Sequence, residues 1–154
     1  MSSAKVRMLV AGGFFFLWLG WLGYLAATKA NPLVVSRAQL MASSHFVLAE
    51  IVVDPETGKP NIEQQIKEEL KPHTPPLAGK ISIVNLREAR IAGQKEAVFQ
   101  PGTVYLLPLT KLTDDMFELT PPPKAPGNEG FSRGRPWAYP WIPAVQRQFE
   151  QLVP

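Results

Sequence analysis

Residues 45–70, HFVLAEIVVDPETGKPNIEQQIKEEL, decide the fold of this chain. The opening run, HFVLAEIVV, is rich in β-branched and aromatic residues, and Phe46, Leu48 and Glu50 alternate with Val47, Ala49 and Ile51. Both alternating sets are mostly apolar, which predicts a strand buried on two sides or wrapped into a small barrel. In Asp54-Pro55-Glu56-Thr57-Gly58-Lys59-Pro60, proline presets φ and glycine supplies a left-handed position, so a hairpin tip is expected. The stretch NIEQQIKEEL can be read in two ways. Ile62, Ile66 and Leu70 lie four apart, as on a helix stripe, yet they also share one face of a strand. Glu, Gln and Lys favour helix, the preceding turn favours a returning strand, and the strand is the narrowly preferred reading.

Working outward, Pro72, Pro75 and Pro76 make a stiff loop around His73. A third strand is expected over 80–86 (KISIVNL). A fourth is expected over 103–109 (TVYLLPL), after Pro101-Gly102, and Pro108 within it implies an edge or a bulge. Residues 87–100, with Gly93 among them, read as loop with some strand, and 116–119 as a fifth strand. Upstream, Asn31-Pro32 ends regular structure, and Ser36 can cap a short helical turn over 37–43 in a connector of residues 29–44. Five short strands predict a mainly-β domain over 45–119, an antiparallel barrel of OB type or a sandwich.

The order of β-run, hairpin, a strand ending in Glu69-Leu70-Lys71, a second β-run and Pro-Gly-x-x-Tyr-Leu-Leu-x-Leu at 101–109 resembles small OB-like barrels of the netrin and metalloproteinase-inhibitor type. It is also similar to uncharacterised single-pass bacterial membrane proteins that carry such a module behind one membrane helix. The resemblance covers roughly residues 45–120 and implies a barrel. The eukaryotic members rely on disulfides, and this chain has no cysteine, so none of their functional residues carries over.

Between Arg7 and Lys29, residues 8–28 (MLVAGGFFFLWLGWLGYLAAT) carry no charge. At a rise of about 1.5 Å per residue such a run covers roughly 30 Å, which predicts a transmembrane helix behind a basic stub of residues 1–7. A secretory signal peptide is the rival reading, since Lys5 and Arg7 make a basic start and the small residues Ala26, Ala27 and Ala30 can be read as a cleavage region. The expected localisation is a single-pass membrane protein with a cytoplasmic N-terminus and an extracytoplasmic domain, periplasmic if bacterial. At about 100° per residue Gly12, Gly13, Gly20, Gly23, Ala26, Ala27 and Ala30 share one side of the helix, opposite Phe14, Trp18, Trp21 and Leu25. Close approach through small residues suits contact with a partner helix, although Phe16 interrupts the face.

Eight of the sixteen prolines lie in the last 34 residues. The stretch 120–136 (TPPPKAPGNEGFSRGRP) is therefore expected to be an extended linker or arm. The remaining residues, 137–154, hold an aromatic anchor, Trp137, Tyr139 and Trp141, and a short helix over 144–153 with Pro143 in its first turn. Ile142, Val145, Phe149 and Leu152 share one face of that helix, leaving Arg147, Gln148 and Gln151 for water. The aromatic cluster can dock on the protein's own barrel, on a partner subunit or at a membrane surface, and the partner reading makes Trp137, Tyr139, Trp141 and Phe149 interface residues.

Absence of cysteine excludes disulfides, zinc ribbons, iron–sulfur clusters and a thiol nucleophile. His45 and His73 with Glu50 or Glu69 make a poor metal set, Glu68-Glu69 and Asp114-Asp115 point apart, and Ser43-Ser44-His45 is adjacency without triad geometry. Without Lys5 and Arg7 the chain has 14 basic against 13 acidic residues, so the pI of 9.3 carries no nucleic-acid signal. The expectation is a non-catalytic accessory or structural subunit of a larger membrane protein complex, with no cofactor and no metal. It docks through Gly12, Gly13, Gly20, Gly23 and Ala27 and through the aromatic tail. The alternative is a tethered barrel that binds a small molecule, lipid or peptide.

Overall fold

The computed structural model describes residues 3–28, 33–71, 76–77, 79–96, 98–123 and 134–153. It divides into two units, Met1–Pro32 and Leu33–Pro154. The first contains one helix, α1 (Ser3–Thr28). Among its described residues the second contains a short helix α2 (Arg37–Ala42), seven strands, a 3-10 turn (Leu86–Glu88) and a C-terminal helix α3 (Pro143–Leu152).

Helix α1 fulfils the helical part of the expectation, but the transmembrane reading is corrected. Among the described residues no helix is long and apolar enough to cross a membrane. The four glycines Gly12, Gly13, Gly20 and Gly23 and the amphipathic rings of Trp18, Trp21 and Tyr24 dilute the apolar side chains of α1.

In the second unit the strands are β1 (His45–Glu50), β2 (Glu63–Leu70), β3 (Lys80–Ile83), β4 (Arg90–Ile91), β5 (Val104–Lys111), β6 (Met116–Leu119) and β7 (Trp137–Pro140). Five close into a barrel in the order β1-β2-β3-β6-β5, with β5 pairing back on β1 from His45↔Leu109 to Glu50↔Val104. Closure excludes the sandwich. The all-antiparallel expectation also needs correction, because β3 and β6 run parallel at Ser82↔Met116 and Ile83↔Phe117. Inside the barrel lie Val47, Ala49, Ile66, Ile81, Ile83, Tyr105, Leu107, Leu109, Phe117 and Leu119.

The hairpin forms as its residues dictate. Asp54 N–H donates to the Lys59 carbonyl at 2.9 Å, and Gly58 takes φ +65. The ambiguous stretch is strand β2, whose pairing with β1 contains a bulge. Leu48 faces Glu68 while the neighbouring Ala49 faces Ile66, so Lys67 is the extra residue. The bulge switches the inward parity from Gln64 and Ile66 to Glu69, leaving Leu70 on the outer side. A period-2 reading puts Leu70 beside Ile66, and the bulge is why it fails.

Pro108 does not mark an edge. Strand β5 is central, with β1 on one side and both β6, at 109–111, and β7, at 105–106, on the other. The Pro108 carbonyl accepts from Thr120 N–H at 2.9 Å, so its donor-less nitrogen faces the gap between β6 and β7 and breaks no ladder bond.

A second apolar layer covers the outer face of β1 and β5. Phe46, Leu48, Val104 and Leu106 point outward there, against Leu40 of α2, Tyr139 of β7 and Val145 and Phe149 of α3. The tail is thus part of the barrel unit. Strand β7 pairs with β5 at Leu106↔Tyr139 and carries the two-residue β4 alongside it. Ten residues of α3 would not hold alone, and the buried Val145 and Phe149 supply its stability.

Three glutamine amides replace missing backbone partners. Gln39, fully buried, donates to the carbonyls of Thr120 at 2.8 Å and Trp137 at 3.0 Å, and accepts from Tyr139 Oη–H at 2.8 Å. Gln64 accepts from Val52 N–H at 2.8 Å and donates back to the Val52 and Asn61 carbonyls. Gln148 does the same for the incoming chain, accepting from Val35 N–H at 2.9 Å and donating to the Leu33 carbonyl at 2.7 Å. The expectation that Gln148 faces water is corrected accordingly.

Candidate binding face

The residues singled out from the sequence fall into three places. On α1, a Cβ added at Gly12, Gly13, Gly20 or Gly23 meets nothing within 4 Å. Gly13 and Gly20 floor a trough of about 760 Å³ walled by Phe16, Leu17, Trp21 and Tyr24, with the Trp21 and Tyr24 rings stacked at 6.0 Å. Trp21 thus flanks the glycine side and does not oppose it. The side chain of Ala27 lies outside the described residues.

In the barrel unit the aromatic anchor faces inward. Tyr139 is 1% exposed and Phe149 4%, while Trp137 and Trp141 are half-buried in the same layer. Phe149 meets Phe46 edge-on at 5.3 Å and Trp141 at 6.0 Å, and the Arg90 guanidinium sits 5.9 Å from the Trp137 ring centroid. Burial pushes the Tyr139 phenol up to about 12. These four side chains converge on the protein's own second core.

His45 and Glu69 do come together. His45 Nδ1 lies 2.8 Å from Glu69 Oε1, both residues are buried, Glu69 Oε2 accepts from Leu77 N–H at 2.6 Å, and the imidazole stands edge-on to Phe117. Sequence reasoning gave no contact between these two, because only the bulge at Lys67 turns Glu69 inward. Glu68, its sequence neighbour, is exposed. His73 lies outside the described residues.

The remaining polar clusters have structural uses. Ser43 Oγ–H donates to the Gln39 carbonyl at 2.7 Å and Ser44 Oγ–H to the Leu109 carbonyl at 3.2 Å. Asp114 pairs with Lys111 at 2.9 Å, and that hydrogen bond and charge hold its carboxyl below the usual range. Among the described residues no three His, Cys, Asp or Glu side chains come together to hold a metal ion.

What sequence reasoning missed is a surface. Two grooves run over β1, β2 and β3. One, of about 430 Å³, is lined by Val52, Asn61, Ile62, Glu63, Gln64, Gln65, Lys80 and Arg87. The other, of about 480 Å³, is lined by Glu50, Ile51, Val52, Val53, Gln65, Lys67 and Pro101. Val52 and Gln65 belong to both, so the grooves are continuous. Glu50 and Lys67 pair at 2.7 Å, and the lysine holds the Glu50 carboxyl below its ordinary value. Arg87 Nε–H donates to the Pro60 carbonyl at 3.3 Å, fixing a cation beside the hairpin. Lys80, exposed, makes no ion pair among the described residues.

The comparisons with known proteins add no assignment: no family model, no curated protein and no solved structure matches the chain.

Proposed function

We propose that this protein is a non-catalytic accessory subunit of a larger membrane protein complex, held in it by α1. The observation that carries the reading is the exposure of apolar side chains on every side of that helix: Phe14 is 71% exposed, Trp18 59% and Tyr24 60%. A helix that is apolar all round requires apolar surroundings, and exposed apolar area of this extent marks an interaction site. Helices of partner chains supply such surroundings, and the trough over Gly13 and Gly20 lets one of them approach closely. The barrel unit brings its own core and a sealed tail, which suits a structural body better than a reaction centre.

The test is gentle detergent extraction of the native protein, native-gel sizing and mass spectrometry of the co-migrating chains. A discrete complex of fixed stoichiometry that falls apart on Gly13→Leu with Gly20→Leu is the expected result. A particle of the protein's own mass refutes the proposal.

A further inference from the structure

The described residues cover the barrel on one side and leave a groove on another. The β1–β5 side lies under α2, α3 and β7, whereas the continuous groove over β1, β2 and β3 leaves Val52 52% and Ile62 44% exposed. We infer that this groove binds an extended acidic peptide segment of a partner chain, with its carboxylates on Lys80 and Arg87. The inference does not depend on α1 and stands if that helix docks nowhere.

Each part of the occupant's chemistry follows from the surface. Along β2 the outward side chains Glu63, Gln65 and Lys67 are two residues apart, roughly 7 Å each, so the groove follows the length of a strand and suits an extended chain more than a compact ligand. Asn61 and Gln65 offer side-chain amides that can both donate to and accept from a peptide backbone. Val52 and Ile62 provide apolar seats. The cations are unequal in availability. Lys67 is occupied by Glu50, whereas among the described residues Lys80 is in no ion pair and Arg87, hydrogen-bonded to a neutral carbonyl, feels Asp54 only at longer range. One cation in no ion pair and a second with no carboxylate at salt-bridge distance, beside apolar seats, call for scattered negative charge on an otherwise apolar strand. A nucleic-acid strand fits poorly, because its unbroken phosphate charge would run past Glu50 and Glu63 and the groove lining offers no aromatic ring for a base to stack on.

The experiment uses the full-length protein in a non-ionic detergent and a fluorescently labelled peptide of alternating Glu and Val, about eight residues long, long enough to cover the groove. Fluorescence anisotropy is read against an alternating Lys–Val peptide and a single-stranded oligonucleotide. The acidic peptide should bind, the basic one should not, and affinity should fall with added salt because the cations are exposed. Lys80→Gln and Arg87→Gln should each weaken binding about three- to five-fold, the scale of one exposed charge contact. Lys111→Gln, outside the groove, should leave it unchanged. Urea unfolding curves of the variants should coincide with that of the parent. Absence of peptide binding, binding indifferent to both groove substitutions, or tighter binding of the oligonucleotide would each overturn the inference.

Discussion

Replacing Tyr139 by Phe isolates the contribution of one hydroxyl to the joint between the barrel and its tail. The ring is 1% exposed and packs in the second core, and phenylalanine keeps that packing. What goes is an oxygen that donates to Gln39 Oε1 at 2.8 Å and accepts from Ser36 N–H at 3.1 Å. Gln39 is completely buried, so its orphaned oxygen should cost about 2 kcal/mol, and the part-buried Ser36 N–H about 1 kcal/mol more. The expected loss is about 3 kcal/mol, a large part of the roughly 5–15 kcal/mol that holds a domain together. Gln39→Leu should cost a similar amount, since it strands the Thr120 and Trp137 carbonyls as well as the Tyr139 hydroxyl. The double variant should lose about 1–2 kcal/mol less than the sum, because the bond between the two is counted twice. Urea unfolding of the full chain in mild detergent measures this, with Trp137 and Trp141 fluorescence reporting on the second core. A Tyr139→Phe loss under about 0.5 kcal/mol, or strict additivity in the double variant, would refute the reasoning.

The same phenol predicts a pH dependence. Its folded value of about 12 lies above its ordinary 10.0, so the protection is complete below pH 10 and is lost as pH rises through 12. The loss is about 3 kcal/mol, and alkaline unfolding curves of Tyr139→Phe should lack it. Glu69→Leu removes the acceptor for His45 Nδ1 and Leu77 N–H and should cost about 2–4 kcal/mol by urea unfolding, while Glu68→Leu on the exposed side should stay within about 0.5 kcal/mol. Gly93→Ala combines φ +80 with a Cβ 3.0 Å from Leu33 Cδ1 and should lower stability by at least 1 kcal/mol, more than Gly102→Ala, which has positive φ but open space. Phe149→Ala should cost about 3–5 kcal/mol and increase protease cutting of the C-terminal segment, seen on gels, because α3 loses the side chain that anchors it.

Much of the local structure follows from sequence because its causes are local. Apolar alternation on both faces made 45–50 a strand buried on two sides, Asp54 to Pro60 made the turn, Ser36 capped α2 by accepting from Gln39 N–H, and Pro143 opened α3. The uncharged run made α1 a helix. Tertiary structure decided the rest. Only barrel closure sets β3 parallel to β6 and gives Pro108 a place in a central strand. Only the bulge at Lys67 brings Glu69 to His45. Gln148 reads as a water-facing residue, and nothing in the one-dimensional pattern singles out Gln39 or Gln64, yet each satisfies backbone groups left unpaired by strands and segments elsewhere in the chain. Hydropathy ranks a residue by its transfer from water, whereas an amide's burial depends on partners that exist only after the chain has closed. The groove has the same origin: Lys80 and Arg87 are ordinary charges in the sequence, and they stand beside Val52 and Ile62 because the β2–β3 pairing and the hairpin bring them there.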